Sequence, residues 1–153
     1  MPSTAVTEKM PRPAREVFDL LHDYSRRLEW DTLLCEARLI HGYEQAQKGA
    51  VSRCVGRHFS GAIAVEAVYV SFKPGELAAV EMINRAPFFE RFAASLRHHD
   101  VEGGGSELTY KVHFLARPRL LRWLLHPVMR IVLRHETKKR LRSLAAFLQE
   151  GRL

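Results

Sequence analysis

Apolar and polar residues change period twice along this chain. Residues 3–10, "STAVTEKM", alternate weakly as a strand does, and Pro11 and Pro13 close the run. From Pro13 the period lengthens. "PAREVFDLLHDY" sets Val17, Leu20, Leu21 and Tyr24 at helical spacing, with Pro13 suited to a first helical turn. "SRRLEWD" predicts a second short helix with Ser25 as its N-cap. Between Cys35 and Leu115 apolar and polar residues alternate through six runs: "CEARLIHG", "AVSRCVGRHF", "AIAVEAVYVSF", "ELAAVEMINRA", "RFAASLRHH" and "ELTYKVHFLA". The turn signals "HGY", "QKGA", "SG", "KPGE" and "EGGG" part them, which is the pattern of consecutive antiparallel hairpins. Residues 119–150 then carry the longest helical pattern, with Gly151 as its C-cap.

That order predicts an α+β fold. A curved antiparallel sheet must cover one face, and the C-terminal helix is the one element long enough to do it. About thirty helical residues span roughly 45 Å, the width of such a sheet. A sheet wrapped round one helix cannot close-pack everywhere, so a hollow is expected between them. The expected organisation is one domain over residues 1–153, with two short helices after the first strand.

The order of elements resembles the helix-grip superfamily of START-like (SRPBCC) lipid-transfer domains, polyketide cyclases/dehydrases and coenzyme-Q-binding proteins. Four stretches carry the resemblance: "RPAREVFDLLHDYSRRLEWD", "VSFKPGELAAVEM", "GGGSELTYKVHF" and "HPVMRIVLRHETKKRLRSLAAFLQE", the last with Pro127 opening the main helix. The resemblance implies the grip fold and a cavity for an apolar ligand. It implies no single function, because the fold hosts carriers, sensors and enzymes.

The stretch "RHHDVEGGGSELTYKVHF" gathers His98, His99 and His113. A turn centred on Gly103 pairs His98 with Leu108, Leu96 with Tyr110, Ala94 with Val112 and Phe92 with Phe114. That register puts every large apolar side chain on one face. His99 and His113 then fall on the other face, with His113 across from Ala93 and roughly 20 Å of strand between Ala93 and His99. Zinc ligands converge within about 2 Å of one ion, so these histidines cannot share a metal. His98 alone is on the apolar face. It is either a solvated hairpin end or a polar group at the cavity mouth that orients a ligand or moves a proton.

The hairpin "IAVEAVYVSFKPGELAAVEMI" is apolar on both sides. One face holds Val68, Val70, Phe72, Leu77, Ala79 and Ile83; the other holds Val65, Ala67, Tyr69, Val80 and Met82. The pattern leaves open which one faces inward. Glu66 and Glu81 are diagonal neighbours on the first face. Two carboxylates in a dry cavity could serve as general acid and base, although solvation is the commoner fate of such glutamates. Arg85, Tyr69 and Tyr110 suit ligand orientation better than catalysis. Trp30 with Asp31 is a packing anchor or a cavity cap. The candidate ligand contacts are therefore Trp30, Tyr69, Met82, Phe92, Leu96, His98, Tyr110, Phe114 and Trp123. No phosphate loop, HExxH or nucleophile elbow appears, so no catalytic residue is assigned and neither metal nor cofactor is expected.

Composition places the chain among globular proteins, at 46% hydrophobic and 27% charged residues. The N-terminus lacks the apolar middle of a signal peptide, and Cys35 and Cys54 form no CxxC, so a cytoplasmic protein with reduced thiols is expected. The net charge of +7 is concentrated: residues 117–142 hold nine Arg or Lys against Glu136 alone. In the later helix, Val128, Ile131, Val132, Leu141, Leu144 and Leu148 are expected to grip the sheet. Leu120, Leu121, Trp123, Leu124 and Leu125 then stand at the open end of the cavity, as a lid or as a surface for anionic lipid headgroups. Nucleic acid is not an expected partner, because the aromatics that stack single strands are missing. The oligomeric state stays open, a dimer included. The expected function is binding of a hydrophobic small molecule or lipid. The rivals are an enzyme like the polyketide cyclases/dehydrases, using His98, Tyr110 or a cavity glutamate, and a quinone or lipid carrier that docks on membranes.

Overall fold

The computed structural model describes residues 1–57 and 63–151. Seven strands, β1 (Ser3–Met10), β2 (Leu34–Ile40), β3 (Val51–Gly56), β4 (Ala64–Lys73), β5 (Leu77–Met82), β6 (Phe89–Asp100) and β7 (Ser106–Ala116), form one antiparallel sheet. Its order is β1-β7-β6-β5-β4-β3-β2, consecutive except that β1 returns to the edge beside β7. Two short helices, α1 (Ala14–Leu21) and α2 (Arg27–Trp30), follow β1, and α3 (Arg122–Gln149) comes last. This is the predicted α+β helix-grip architecture. The expected end of the third strand at His58 and Phe59, the Ser60–Gly61 turn and Ala62 lie outside the described residues.

The β6–β7 register is the predicted one: Phe92 faces Phe114, Ala94 faces Val112, Leu96 faces Tyr110 and His98 faces Leu108. All of these but Phe92 are buried, Phe92 packing against the core from its edge. The turn beyond this hairpin also organises the first helix. The Ala14 amide donates to Asp100 Oδ1 at 2.7 Å, and Ser106 Oγ donates to the Arg12 carbonyl at 2.8 Å. Gly105 permits that closeness, because a Cβ there would lie 2.7 Å from the Met10 carbonyl oxygen. Thus the β6–β7 hairpin end holds the start of α1, and Ser25 does not cap α2. Ser25 instead donates its amide and its hydroxyl to Asp23 Oδ1, and α2 has no side-chain cap.

In β4 and β5 a β-bulge between Tyr69 and Ser71 settles the question of faces. Val65, Ala67, Tyr69 and Val80 look inward, while Glu66 and Glu81 lie on the outer face, where Glu66 Oε2 accepts from Arg53 Nη1 at 2.8 Å. The extra residue also turns Phe72 inward against Phe18, so the simple alternation that set Phe72 beside Val68 fails there.

α3 differs from expectation along its first half. It starts at Arg122 rather than at Pro127, and Pro127 lies inside it, leaving the Trp123 carbonyl without its intrahelical donor. The buried stripe is Thr137, Leu141, Leu144, Phe147 and Leu148, continued toward the N-terminus by partly buried Met129 and Leu133. Val128, Ile131 and Val132 do not grip the sheet; each is at least half exposed. The reason is phase: the stripe set by Leu133, Thr137, Leu141, Leu144 and Leu148 leaves positions 124, 128 and 131 on the far side.

Candidate functional site: a cavity between sheet and helix

Where α3 stands off the sheet, a cavity of about 400 Å³ remains. Its floor comes from alternate inward residues of β3 to β7, among them Ser52, Cys54, Val65, Ala67, Val80, Phe92, Leu96, Tyr110 and Val112. α3 supplies the roof with Met129, Val132, Leu133, Thr137 and Arg140. Phe88 and Val132 are lining residues that are also exposed, so they mark an opening. Phe88 holds a left-handed backbone at φ 67° in the tight turn before β6.

One wall is polar. Tyr69 Oη is the hub, 2.7 Å from His22 Nδ1 and 2.8 Å from Tyr24 Oη. Burial drives the Tyr69 phenol well above its ordinary pKa, and burial followed by the charge of Arg27 holds His22 well below 6.5. Both are therefore neutral at physiological pH, and the His22–Tyr69–Tyr24 chain can shift protons between neutral partners without carrying a fixed charge.

Beside it lies an ion cluster. Asp31 is wholly buried, and its Oδ2 stands 2.9 Å from Arg27 Nε and 2.9 Å from Arg140 Nε. Its Oδ1 accepts from the Leu33 amide at 3.2 Å. Burial pushes the Asp31 carboxyl up, but Arg140 and then Arg27 outweigh it and hold the group ionised. The Arg27 guanidinium also stacks 5.0 Å over the Trp30 ring. The i,i+4 spacing of Arg27 and Asp31 was visible in the sequence; Arg140, from the far end of the chain, was not.

Four of the nine predicted contacts line the cavity: Tyr69, Phe92, Leu96 and Tyr110. The other five do not, each for its own reason. Trp30 is buried in the core under Arg27, and Phe114 is buried against the His126 ring. Met82 packs at the margin of the core. Trp123 is 76% exposed and points away from the hollow. His98 is neither solvated nor at the mouth. α1 covers the hairpin end, and the ring sits 5.3 Å from that of Phe18 with neither nitrogen bonded among the described residues. Burial lowers its pKa to about 4. Arg85 is exposed. Sequence reasoning missed His22, Tyr24, Arg27 and Arg140 because positions on or beside helices give no strand alternation. It missed Cys54 because alternation along β3 does not tell a cavity wall from packed core.

A second hollow of about 820 Å³ runs between α1 and the β2–β3 connection and meets the first at His22 and Tyr24. Arg15, Asp19, Arg38 and Glu44 on its rim suit water better than an apolar ligand. Cys35 and Cys54 are free thiols. Among the described residues no three His, Cys, Asp or Glu side chains gather to hold a metal ion, and no helix is long and apolar enough to cross a membrane.

Fold and cavity together define a START-like helix-grip protein. The chain belongs to the polyketide cyclase / dehydrase and lipid transport family, whose pattern matches residues 1–149. Similar solved structures include a START superfamily protein from Mycobacterium smegmatis, with a TM-score of 0.82 at 7% identity over 98% of this chain and 99% of that one. The Zhui aromatase/cyclase from a Streptomyces species superposes with a TM-score of 0.77 at 14% identity, over 94% and 91% of the two chains. The di-domain aromatase/cyclase StfQ of the steffimycin biosynthetic pathway gives 0.77 at 13% identity, this chain spanning 52% of that one. At these identities the likeness is one of fold. No curated protein sequence matches the chain.

Proposed function

We propose that the protein binds a hydrophobic small molecule or lipid in the cavity between sheet and α3. The observation that supports this reading most is the cavity itself: about 400 Å³, mostly apolar in lining, with a polar wall at His22, Tyr24, Tyr69 and Arg27. Family membership and the aromatase/cyclase neighbours also keep an enzymatic reading in view, with the His22–Tyr69–Tyr24 chain as its acid–base group. Binding is preferred because Tyr69 Oη already bonds both His22 Nδ1 and Tyr24 Oη, and burial keeps the Cys54 thiol on the same lining protonated. The test is native mass spectrometry of freshly purified protein, followed by titration of the delipidated protein with Nile red. A co-purifying apolar molecule and one-to-one probe uptake are expected. An aromatic polyketide that returns chemically altered would favour the enzyme; no uptake would overturn the reading.

A carrier must also load and unload, and α3 supports an anionic bilayer as the place. Leu120 is 88%, Trp123 76% and Ile131 70% exposed, an extent of bare apolar surface unusual in a monomer. On the outward side of α3, Leu124, Val128 and Ile131 are followed at the same helical phase by His135, Lys138, Lys139 and Arg142. One helix face is thus apolar beside the cavity opening and cationic further on, which matches acyl chains under anionic headgroups. Arg122 has another task, donating to the Ala116 carbonyl at 2.8 Å and pairing with Glu90. Flotation with phosphatidylglycerol vesicles should therefore be lost on reversing Lys138, Lys139 and Arg142 to glutamate, and be absent with phosphatidylcholine. Concentration-dependent dimerisation without flotation would assign the face to a second copy instead.

A further inference from the structure

We infer that the cavity selects an apolar molecule bearing one ionised acidic group, seated against Arg27 and Arg140. The inference rests on the binding reading and names the chemistry of its ligand. Two guanidinium ions, charged at every pH at which the protein folds, meet a single carboxylate. Asp31 offers both of them the same oxygen, and its other oxygen is taken by the Leu33 amide. The cluster therefore carries one positive charge more than it neutralises, in a place where an uncompensated charge is costly.

The neighbours do not cancel it. Arg27 spends one Nη on the Leu21 carbonyl at 3.4 Å, and its faces on Trp30 and Tyr24. The Arg140 Nε contact with Asp31 is not aligned as a hydrogen bond. Ser52 and Tyr110 on the same lining bring hydroxyls rather than carboxylates, and burial pushes the Cys54 thiol up, so it stays protonated. Glu136, a helical turn before Arg140 and half-buried, also lines the cavity and makes no ion pair among the described residues. Both arginines are among the residues that line the cavity. A ligand carboxylate placed there would complete a two-arginine, two-carboxylate set, with fork-shaped donors suited to planar anions. Val80, Leu96, Val112, Met129 and Leu133 would then receive its apolar body.

The experiment compares two probes of equal chain length, dodecanoic acid and dodecan-1-ol, by calorimetric titration of the delipidated protein at pH 8. Preference for the acid by about tenfold or more is expected, since a charge-assisted pair replaces a neutral one. Arg140→Met should remove most of that preference, read as the ratio of acid to alcohol affinity within the same variant, because Arg27 and Asp31 remain as a balanced pair. Arg140→Gln serves as a second variant should the first fold poorly, with the thermal transition as the control. Equal affinity for acid and alcohol would overturn this inference and leave the binding reading standing. Loss of the alcohol as well as the acid in the wild-type protein would overturn both. An acid preference undiminished in both variants would place the acidic group elsewhere.

Discussion

Asp31 and Arg140 meet at 2.9 Å, although one follows the short helix α2 and the other lies two-thirds of the way along α3. With Arg27 they clamp the long helix to the start of the chain, on the side where it stands off the sheet. Asp31→Asn leaves two buried guanidinium ions facing each other. The expected cost is on the order of 3–5 kcal/mol, the range for removing one partner of a buried pair. Urea unfolding measures it. The double variant Asp31→Asn with Arg140→Met should recover part of the loss, because only one unpaired cation remains. A loss below about 1 kcal/mol would mean that water reaches the cluster and screens it.

How much of this was legible beforehand divides along one physical line. Alternation and turn signals report which side of a strand meets an apolar medium, so the consecutive hairpins from β2 to β7 and the β6–β7 register, with Leu96 and Tyr110 on its inward face, could be read directly, while the place of β1 beside β7 could not. The same signal cannot say whether that medium is another layer of protein or an empty hollow. Phe114 and Leu96 share a face and a pattern, yet one is packed against His126 and the other lines the cavity. The bulge at Tyr69 and Ser71 carries no glycine to announce it, and it moved Phe72 to the other side. The phase of α3 was misjudged because apolar residues occupy nearly its whole circumference before Thr137. Only the buried stripe further along shows which of them are left bare.

His98 makes stability depend on acid. Burial holds its folded-state pKa near 4, below the ordinary value of 6.5, so the native ring stays neutral while the unfolded one takes up a proton. Its contribution is complete above pH 6.5 and is lost as pH falls from there toward 4. At 1.36 kcal/mol per unit, that window amounts to about 3 kcal/mol. His22, lowered by burial and by Arg27, adds a loss of the same sign. Neither nitrogen of His98 is bonded among the described residues, so His98→Leu forfeits no hydrogen bond there. The variant should match the wild type near pH 7 and exceed it in thermal stability near pH 5. Parallel pH profiles for the two proteins would show that His98 is protonated in the fold.

Gly105 tests the link between the hairpin turn and the first helix. A methyl group there would sit 2.7 Å from the Met10 carbonyl oxygen, which is backbone and cannot swing aside. Gly105→Ala should therefore cost about 1–3 kcal/mol, typical of overpacking. Gly103→Ala meets nothing within contact distance and suffers only from its φ of 94°. Thermal melts of the two should separate steric from conformational cost, with hydrogen exchange at Ala14 faster in the Gly105 variant alone. Equal exchange at Ala14 in both would detach the turn from α1.

The cavity can be tested by filling it. Ala67 lies on β4 between Val65 and Tyr69, buried and facing the hollow, while its neighbour Val68 faces outward on the same strand. A phenyl ring at position 67 enters empty space rather than occupied core, so overpacking strain should be small. Ala67→Phe is expected to keep the wild-type stability within about 1 kcal/mol, because apolar volume is gained where contacts were missing. Nile red uptake should fall by roughly tenfold or more, equivalent to about 1.4 kcal/mol of lost binding energy. Val68→Phe adds similar bulk to the opposite face and should leave uptake untouched. Comparable uptake in all three proteins would move the binding site out of the cavity. Failure of Ala67→Phe to fold, with Val68→Phe intact, would show that the space between sheet and α3 closes in solution.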